Sequence, residues 1–85
     1  MHEVPIEDSI DLHPFQPREI HVVVEEYLYQ AIARGFREVR IIHGRGMSVQ
    51  REIVRSILEK HSEVLSFHDA PDRGSTYVIL RVPNS

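Results

Sequence analysis

The chain has 85 residues, no cysteine, a net charge of -3 at neutral pH, and nine arginines against a single lysine. That length makes one small domain. The missing thiols exclude disulfides and zinc–thiolate chemistry, and no apolar run approaches the ~18 residues that cross a bilayer. The negative balance gives no global pull toward nucleic acid, so any such binding must come from a local patch, for which arginine's planar fork is well suited.

Residues 1–8 are acidic and lack the basic and apolar regions of a signal peptide. They read as a flexible or loosely docked tail, with a cytoplasmic location as the default expectation, and residues 9–85 read as a single domain. Ser9-Ile10-Asp11-Leu12-His13 alternates, which predicts a short strand with Ile10 and Leu12 on one face and Asp11 and His13 on the other. Pro14 ends it, and Pro17 suits the first turn of a helix. From Pro17 to Arg34, Ile20, Val23, Val24, Tyr27, Leu28 and Ala31 recur at three- and four-residue spacing as one apolar stripe. Gly35 fits the position just past the helix end.

Arg37 to Ile42 reads as a second strand. His43-Gly44-Arg45-Gly46 then makes a sharp turn into a second helix, Ser48 to Lys60, with Val49, Ile53, Val54, Ile57 and Leu58 as its buried stripe. Glu63 to Asp69 reads as a third strand with Leu65 and Phe67 on one face. Ala70 to Gly74 is a turn, and Ser75 to Val82 a fourth strand. The order βαβαββ predicts right-handed strand–helix–strand crossovers and a final antiparallel hairpin. The fold class is therefore an α/β two-layer sandwich: a four-stranded mixed sheet with two helices on one face and the other face open.

In such sheets ligands favour the edge where parallel strands end. That edge collects Asp11, His13, His43, Arg45 and the backbone from Gly44 to Ser48. The helix N-terminus there offers unpaired N–H groups to an anion, and histidine titrates near neutrality. His2, His21, His61 and His68 read as surface residues. A zinc site is not expected, since there is no cysteine and no His-x-x-x-His spacing.

On these residues the chain resembles the small-MutS-related (Smr) domain family. The family's two hallmarks, an Asp-Leu-His element on the first strand and a His-Gly-Arg-Gly turn after the second, stand here as Asp11-Leu12-His13 and His43-Gly44-Arg45-Gly46. The resemblance covers about residues 9–82. It implies a fold similar to the C-terminal domain of bacterial translation initiation factor three, with sheet order one-two-four-three. It also implies binding of DNA or RNA and, from several relatives, endonuclease or nicking activity. No MutS-like ATPase accompanies the domain, so a stand-alone form is expected. Two features depart from the family pattern: Pro14-Phe15 follows Asp-Leu-His where glycine is usual, and Asp72-Arg73-Gly74-Ser75-Thr76 is shorter and poorer in glycine than the usual turn before the last strand.

In a nuclease reading, His43 and His13 share the acid–base roles. Asp11 fixes a histidine tautomer or holds a divalent ion such as Mg2+ or Mn2+, and Arg45, Gly44, Gly46, Ser48 and Arg73 hold phosphate. Metal-free and metal-assisted cleavage both stay open. So do structural roles: His43 bonding the turn, His13 holding the strand end, Asp11 satisfying backbone donors. The alternatives to an enzyme are a non-catalytic nucleic-acid-binding module and a protein-interaction module that uses the open sheet face around Ile42, Tyr77 and Ile79.

Overall fold

The computed structural model describes residues 6–44 and 48–82. Six elements follow in the expected order: β1 (Ser9–Asp11), α1 (Pro17–Ala33), β2 (Glu38–Ile42), α2 (Ser48–Lys60), β3 (Val64–Asp69) and β4 (Ser75–Leu80). The sheet order is β1-β2-β4-β3. β1 and β2 are parallel, and β4 is antiparallel to both of its neighbours. Arg45, Gly46 and the first five residues of the expected tail lie outside the described residues.

Local chemistry accounts for the helix ends. Pro17 opens α1, and the Glu19 carboxylate accepts the Gln16 backbone N–H at 2.7 Å, which satisfies a donor at the positive end of the helix dipole. At the far end Phe36 N–H reaches the Ala31 carbonyl and Gly35 N–H the Ile32 carbonyl, both at 3.0 Å, with Gly35 at φ +81°. This paired closure needs a left-handed residue, which glycine adopts without steric cost.

The two helices pack against each other and against one face of the sheet. Ile20, Val24, Leu28 and Ala31 of α1, Val54, Ile57 and Leu58 of α2, and Val39, Ile41, Val78 and Leu80 of the sheet form one buried cluster, joined by Leu12. Each fully buried aliphatic side chain of this kind contributes ~1.5–3 kcal/mol. The other face keeps Arg40, Ile42, Tyr77 and Ile79 half-buried. None of the described helices is long and apolar enough to cross a membrane.

One expected core position, Val49, turns outward, and Leu65 parts from the face it was expected to share with Phe67. Val49 is 62 % exposed, and its neighbour Gln50 is buried in its place. The α2 stripe runs Gln50, Val54, Ile57, Leu58. One helical residue is a 100° rotation, so Val49 falls off the flank of that stripe. On β3 the register slips between Val64 and Ser66. This bulge breaks the two-residue alternation, so Val64 and Phe67 pack against the core while Leu65 is 53 % exposed. β1 also ends earlier than the alternation suggests: Leu12 N–H still bonds the Ile42 carbonyl at 2.8 Å, but the chain then turns, with Phe15 N–H on the Leu12 carbonyl.

The segment before β1 is fastened at two points. Tyr27 donates its hydroxyl to the Glu7 carbonyl at 2.6 Å, and Arg40 N–H bonds the Asp8 carbonyl at 2.9 Å. Burial first, then the charges of Asp8 and Glu7, push the Tyr27 phenol up to about 12. A raised folded-state pKa means that the stabilising contribution is whole below the ordinary phenol range near 10 and is lost as pH rises through about 12. Urea unfolding should therefore weaken more steeply between these pH values for the wild type than for Tyr27→Phe; identical pH profiles for the two proteins would contradict the buried, bonded phenol.

Candidate functional site

The parallel ends of β1 and β2 and the start of β4 meet at one rim. Asp11 and His13 form the first part of it. Asp11 Oδ1 accepts both the His13 backbone N–H at 2.9 Å and His13 Nδ1–H at 2.8 Å. Both side chains are 56 % exposed. The backbone hydrogen bond from His13, then the bond from its ring, hold the Asp11 carboxyl below its ordinary range. A carboxylate that accepts from Nδ1 selects the tautomer protonated there, which leaves Nε2 as the nitrogen available to a ligand.

His43 is placed differently. It continues the inward parity of Val39 and Ile41 and is fully buried. Its Nε2 lies 3.0 Å from Thr76 Oγ1 and its Nδ1 3.4 Å from the Gly44 carbonyl. Thr76 in turn donates to Asp69 Oδ1 at 3.2 Å, so the threonine oxygen is the acceptor for the histidine; this shorter contact assigns the ring proton to Nε2, and the longer Nδ1 approach to the Gly44 carbonyl is then a contact without a shared proton. The other oxygen of Asp69 faces Arg51 at 3.6 Å. The two strand ends adjoin, with the His13 ring facing solvent on Asp11 and the His43 ring beneath the rim on Thr76.

The backbone at the turn is also committed. Gly44 is buried at φ +92°, and the Gly74 carbonyl accepts both His43 N–H at 3.1 Å and Gly44 N–H at 2.9 Å. The Gly44 amide expected to meet phosphate is spent on this clasp. Its partner is prepared by the β3–β4 turn, where Arg73 N–H bonds the Ala70 carbonyl at 2.9 Å and Gly74 N–H bonds Asp72 Oδ1 at 2.8 Å. Arg73 is exposed at the tip with φ +62°, a left-handed conformation rare outside glycine.

Ser48 opens α2 and is exposed. Gln50, two residues on, donates Nε2–H to the Phe15 carbonyl at 3.1 Å and ties α2 to the loop after β1. Its Oε1 and the Nε of Arg51 are buried without a partner among the described residues. Gln50, Arg51, Asp69 and Thr76 escape a reading of the sequence; the one signal was a polar residue at the Gln50 position of an otherwise apolar stripe. Among the described residues no three His, Asp or Glu side chains gather as a metal cage. The divalent-ion role considered for Asp11 thus has a single carboxylate, one oxygen of which His13 already occupies.

The profile of the Smr domain matches residues 10–81. Over 85 aligned residues the chain is 35 % identical to an endonuclease MutS2 from Caldicellulosiruptor saccharolyticus, covering 95 % of this chain and 11 % of that protein. Against an endonuclease MutS2 from Helicobacter pylori it is 36 % identical over 62 residues, 73 % of this chain and 8 % of the relative. The chain therefore spans about a tenth of the length of these relatives. Among solved structures, YdaL, a stand-alone small MutS-related protein from Escherichia coli, superposes with a TM-score of 0.84 at 30 % identity, covering 91 % of this chain and 66 % of that one. The Smr domain of Thermus thermophilus MutS2 gives 0.81 at 34 % identity, covering 86 % and 96 %.

The clasp can be tested without touching the exposed groups. Gly44→Ala places a Cβ on a buried left-handed residue, and the strain should lower unfolding free energy in urea by about 1–2 kcal/mol. Unchanged stability would mean that the turn does not need its positive φ.

Proposed function

The chain belongs to the Smr domain family, and from that premise we propose that it binds DNA or RNA at the rim where β1 and β2 end. Arg45, Arg73, Ser48 and the α2 N-terminus meet phosphate there, and the Asp11–His13 pair is placed for proton transfer. The observation that carries this reading is the 2.8 Å bond between Asp11 and His13 Nδ1 on two half-exposed side chains. A histidine oriented by a carboxylate, with its second nitrogen open, suits acid–base work on a phosphodiester.

The MutS2 relatives are named endonucleases, and cleavage by this chain is part of the proposal. His13 Nε2 takes the proton of an attacking hydroxyl. The deprotonated oxygen bonds to phosphorus as the bond from phosphorus to the leaving oxygen breaks, and the imidazolium returns a proton to the leaving oxygen. Asp11 keeps the ring in the required tautomer and balances its charge as it protonates. Arg45 and Arg73 supply positive charge to the transition state, where such charge is worth more than in the ground state. His43 acts from beneath as a positioning residue, through Thr76 and the glycine turn. No step is routed through a metal.

The burial of His43 favours a second reading, in which the rim binds without turnover. Incubation with single- and double-stranded DNA and RNA, with and without Mg2+ or Mn2+, separates the two. His13→Ala should lower cleavage by about a hundredfold or more and barely alter binding, with a smaller loss for Asp11→Asn. Arg45→Ala should weaken binding to all sequences alike and reduce the log–log salt slope by roughly one. Salt-dependent binding with no cleavage on any substrate would select the second reading, and cleavage that survives His13→Ala would remove the histidine from the chemistry.

A further inference from the structure

β3 is the last strand of the sheet, and its outer edge meets no other strand among the described residues. At the opposite end of the sheet β1 has only 3 residues, whereas β3 has 6. Ala70 N–H bonds the Ser75 carbonyl at 2.9 Å, and the same register runs unbroken from Asp69–Thr76 to Ser66–Ile79. Bonded and non-bonded pairs alternate along an antiparallel ladder. Ser66 and His68 therefore turn their main-chain N–H and C=O groups toward β4. Phe67 and Asp69 turn theirs outward, where no described strand pairs with them. The bulge lies between Val64 and Ser66, so the edge stays regular from Ser66 to Asp69. A regular open edge is a template for one more strand.

Positive charge flanks this edge on the helix side. Arg51 and Arg55 stand one turn apart on α2, and both reach β3. The Arg55 guanidinium carbon is 5.6 Å from the centre of the Phe67 ring, and Arg51 Nη1 is 3.6 Å from Asp69 Oδ2. Arg55 is exposed, with no ion pair among the described residues. At 3.6 residues per turn, Arg51 and Arg55 lie about 20° and about 60° around α2 from buried Leu58, whereas exposed Glu59 and Glu52 lie about 100° and about 120° from it. The two carboxylates thus sit further round toward solvent than the guanidiniums. Two residues of an extended strand span about 6.7 Å, close to the ~5.4 Å of a helical turn. Alternate side chains of an added strand therefore fall in step with the two arginines, whose forked N–H groups suit carboxylates. The chain carries -3 overall, so this attraction is local to the flank.

We propose that the free edge of β3 takes up an extended acidic segment of a partner protein as a further strand. Phe67 and Asp69 supply the main-chain bonds, as in other recognition by strand addition. Arg55 and Arg51 select carboxylates at alternate positions on the helix side. The edge favours a peptide over a nucleic acid because it offers carbonyl acceptors in step with its amides, and a phosphate backbone has no donors for them. This docking edge goes beyond the nucleic-acid reading of the rim and does not depend on it.

The test is amide hydrogen exchange, read by NMR on the nitrogen-15-labelled protein, with end-blocked peptides of about seven residues as probes. One peptide alternates valine and glutamate, and a second has lysine for each glutamate. Two more are the glutamate peptide N-methylated either at its glutamates or at its valines. In the free protein Phe67 and Asp69 amides should exchange fast, and Ser66 and His68 amides slowly. Saturating glutamate peptide should slow Phe67 and Asp69 by about tenfold or more, and the lysine peptide should leave them unchanged. One methylated form should lose this effect, because only alternate amides of an added strand face β3. Arg55→Glu should weaken the glutamate peptide by about tenfold or more; if that variant melts by circular dichroism, Arg55→Gln gives the same reading. Slow exchange at Phe67 and Asp69 in the free protein overturns the open edge. Equal protection by glutamate and lysine peptides, protection by both methylated forms, or none by the glutamate peptide at millimolar concentration overturns the docking proposal. Protection of these two amides by oligothymidylate and not by the peptide also overturns it, giving the edge to nucleic acid.

Discussion

A single carbonyl sets the geometry of the functional end of this protein. Gly74 C=O accepts the N–H groups of both His43 and Gly44, and so fastens the end of β2 to the start of β4. The bond pair requires Gly44 to take a conformation closed to most residues, and it draws His43 inward, where Thr76 receives its ring. From Thr76 the chain of polar contacts passes to Asp69 and then to Arg51 on α2. β2, β4, β3 and α2 are thereby joined at one point just below the rim. Polar groups so buried are costly unless satisfied, which makes the network a demanding and therefore specific lock on the register of the hairpin.

The lock divides the labour between the two motif histidines. His43 is enclosed and bonded within the fold, so it can hold the turn but cannot meet a solvent-borne phosphate in this arrangement. His13 lies past the end of β1, folded back on Asp11, with half of its side chain exposed. The same motif pair thus supplies one residue that shapes the rim and one that stands on it. On the far side of the sheet, the alternation that sends Val39, Ile41 and Val78 into the core sends Arg40, Ile42 and Tyr77 outward. The open face is as much a product of the pattern as the core is.

The architecture was legible because its signals are local and repeated. The α1 stripe from Ile20 to Ala31, the caps at Pro17 and Gly35 and the alternation along β4 each declare themselves within a few residues. The Asp11–His13 pair was legible for the same reason, since two residues of separation bring the groups together. What escaped the sequence depends on register or rotation. Val49 and Gln50 exchange places across a single 100° step of a helix. Leu65 parts from the face of Phe67 because of a bulge that no residue announces. The ring partner of His43, Thr76, stands thirty-three residues away on another strand, and only the pairing of β2 with β4 brings it into reach.

The central claim is that the two rim histidines are held in opposite tautomers by different partners, His13 by Asp11 and His43 by Thr76. Nitrogen-15 spectra of the histidine rings near neutral pH test it most directly. His13 should carry its proton on Nδ1, facing Asp11, and His43 on Nε2, facing Thr76, with the His43 ring proton slow to exchange. The same tautomer at both residues, or a fast-exchanging His43 proton, would contradict the account.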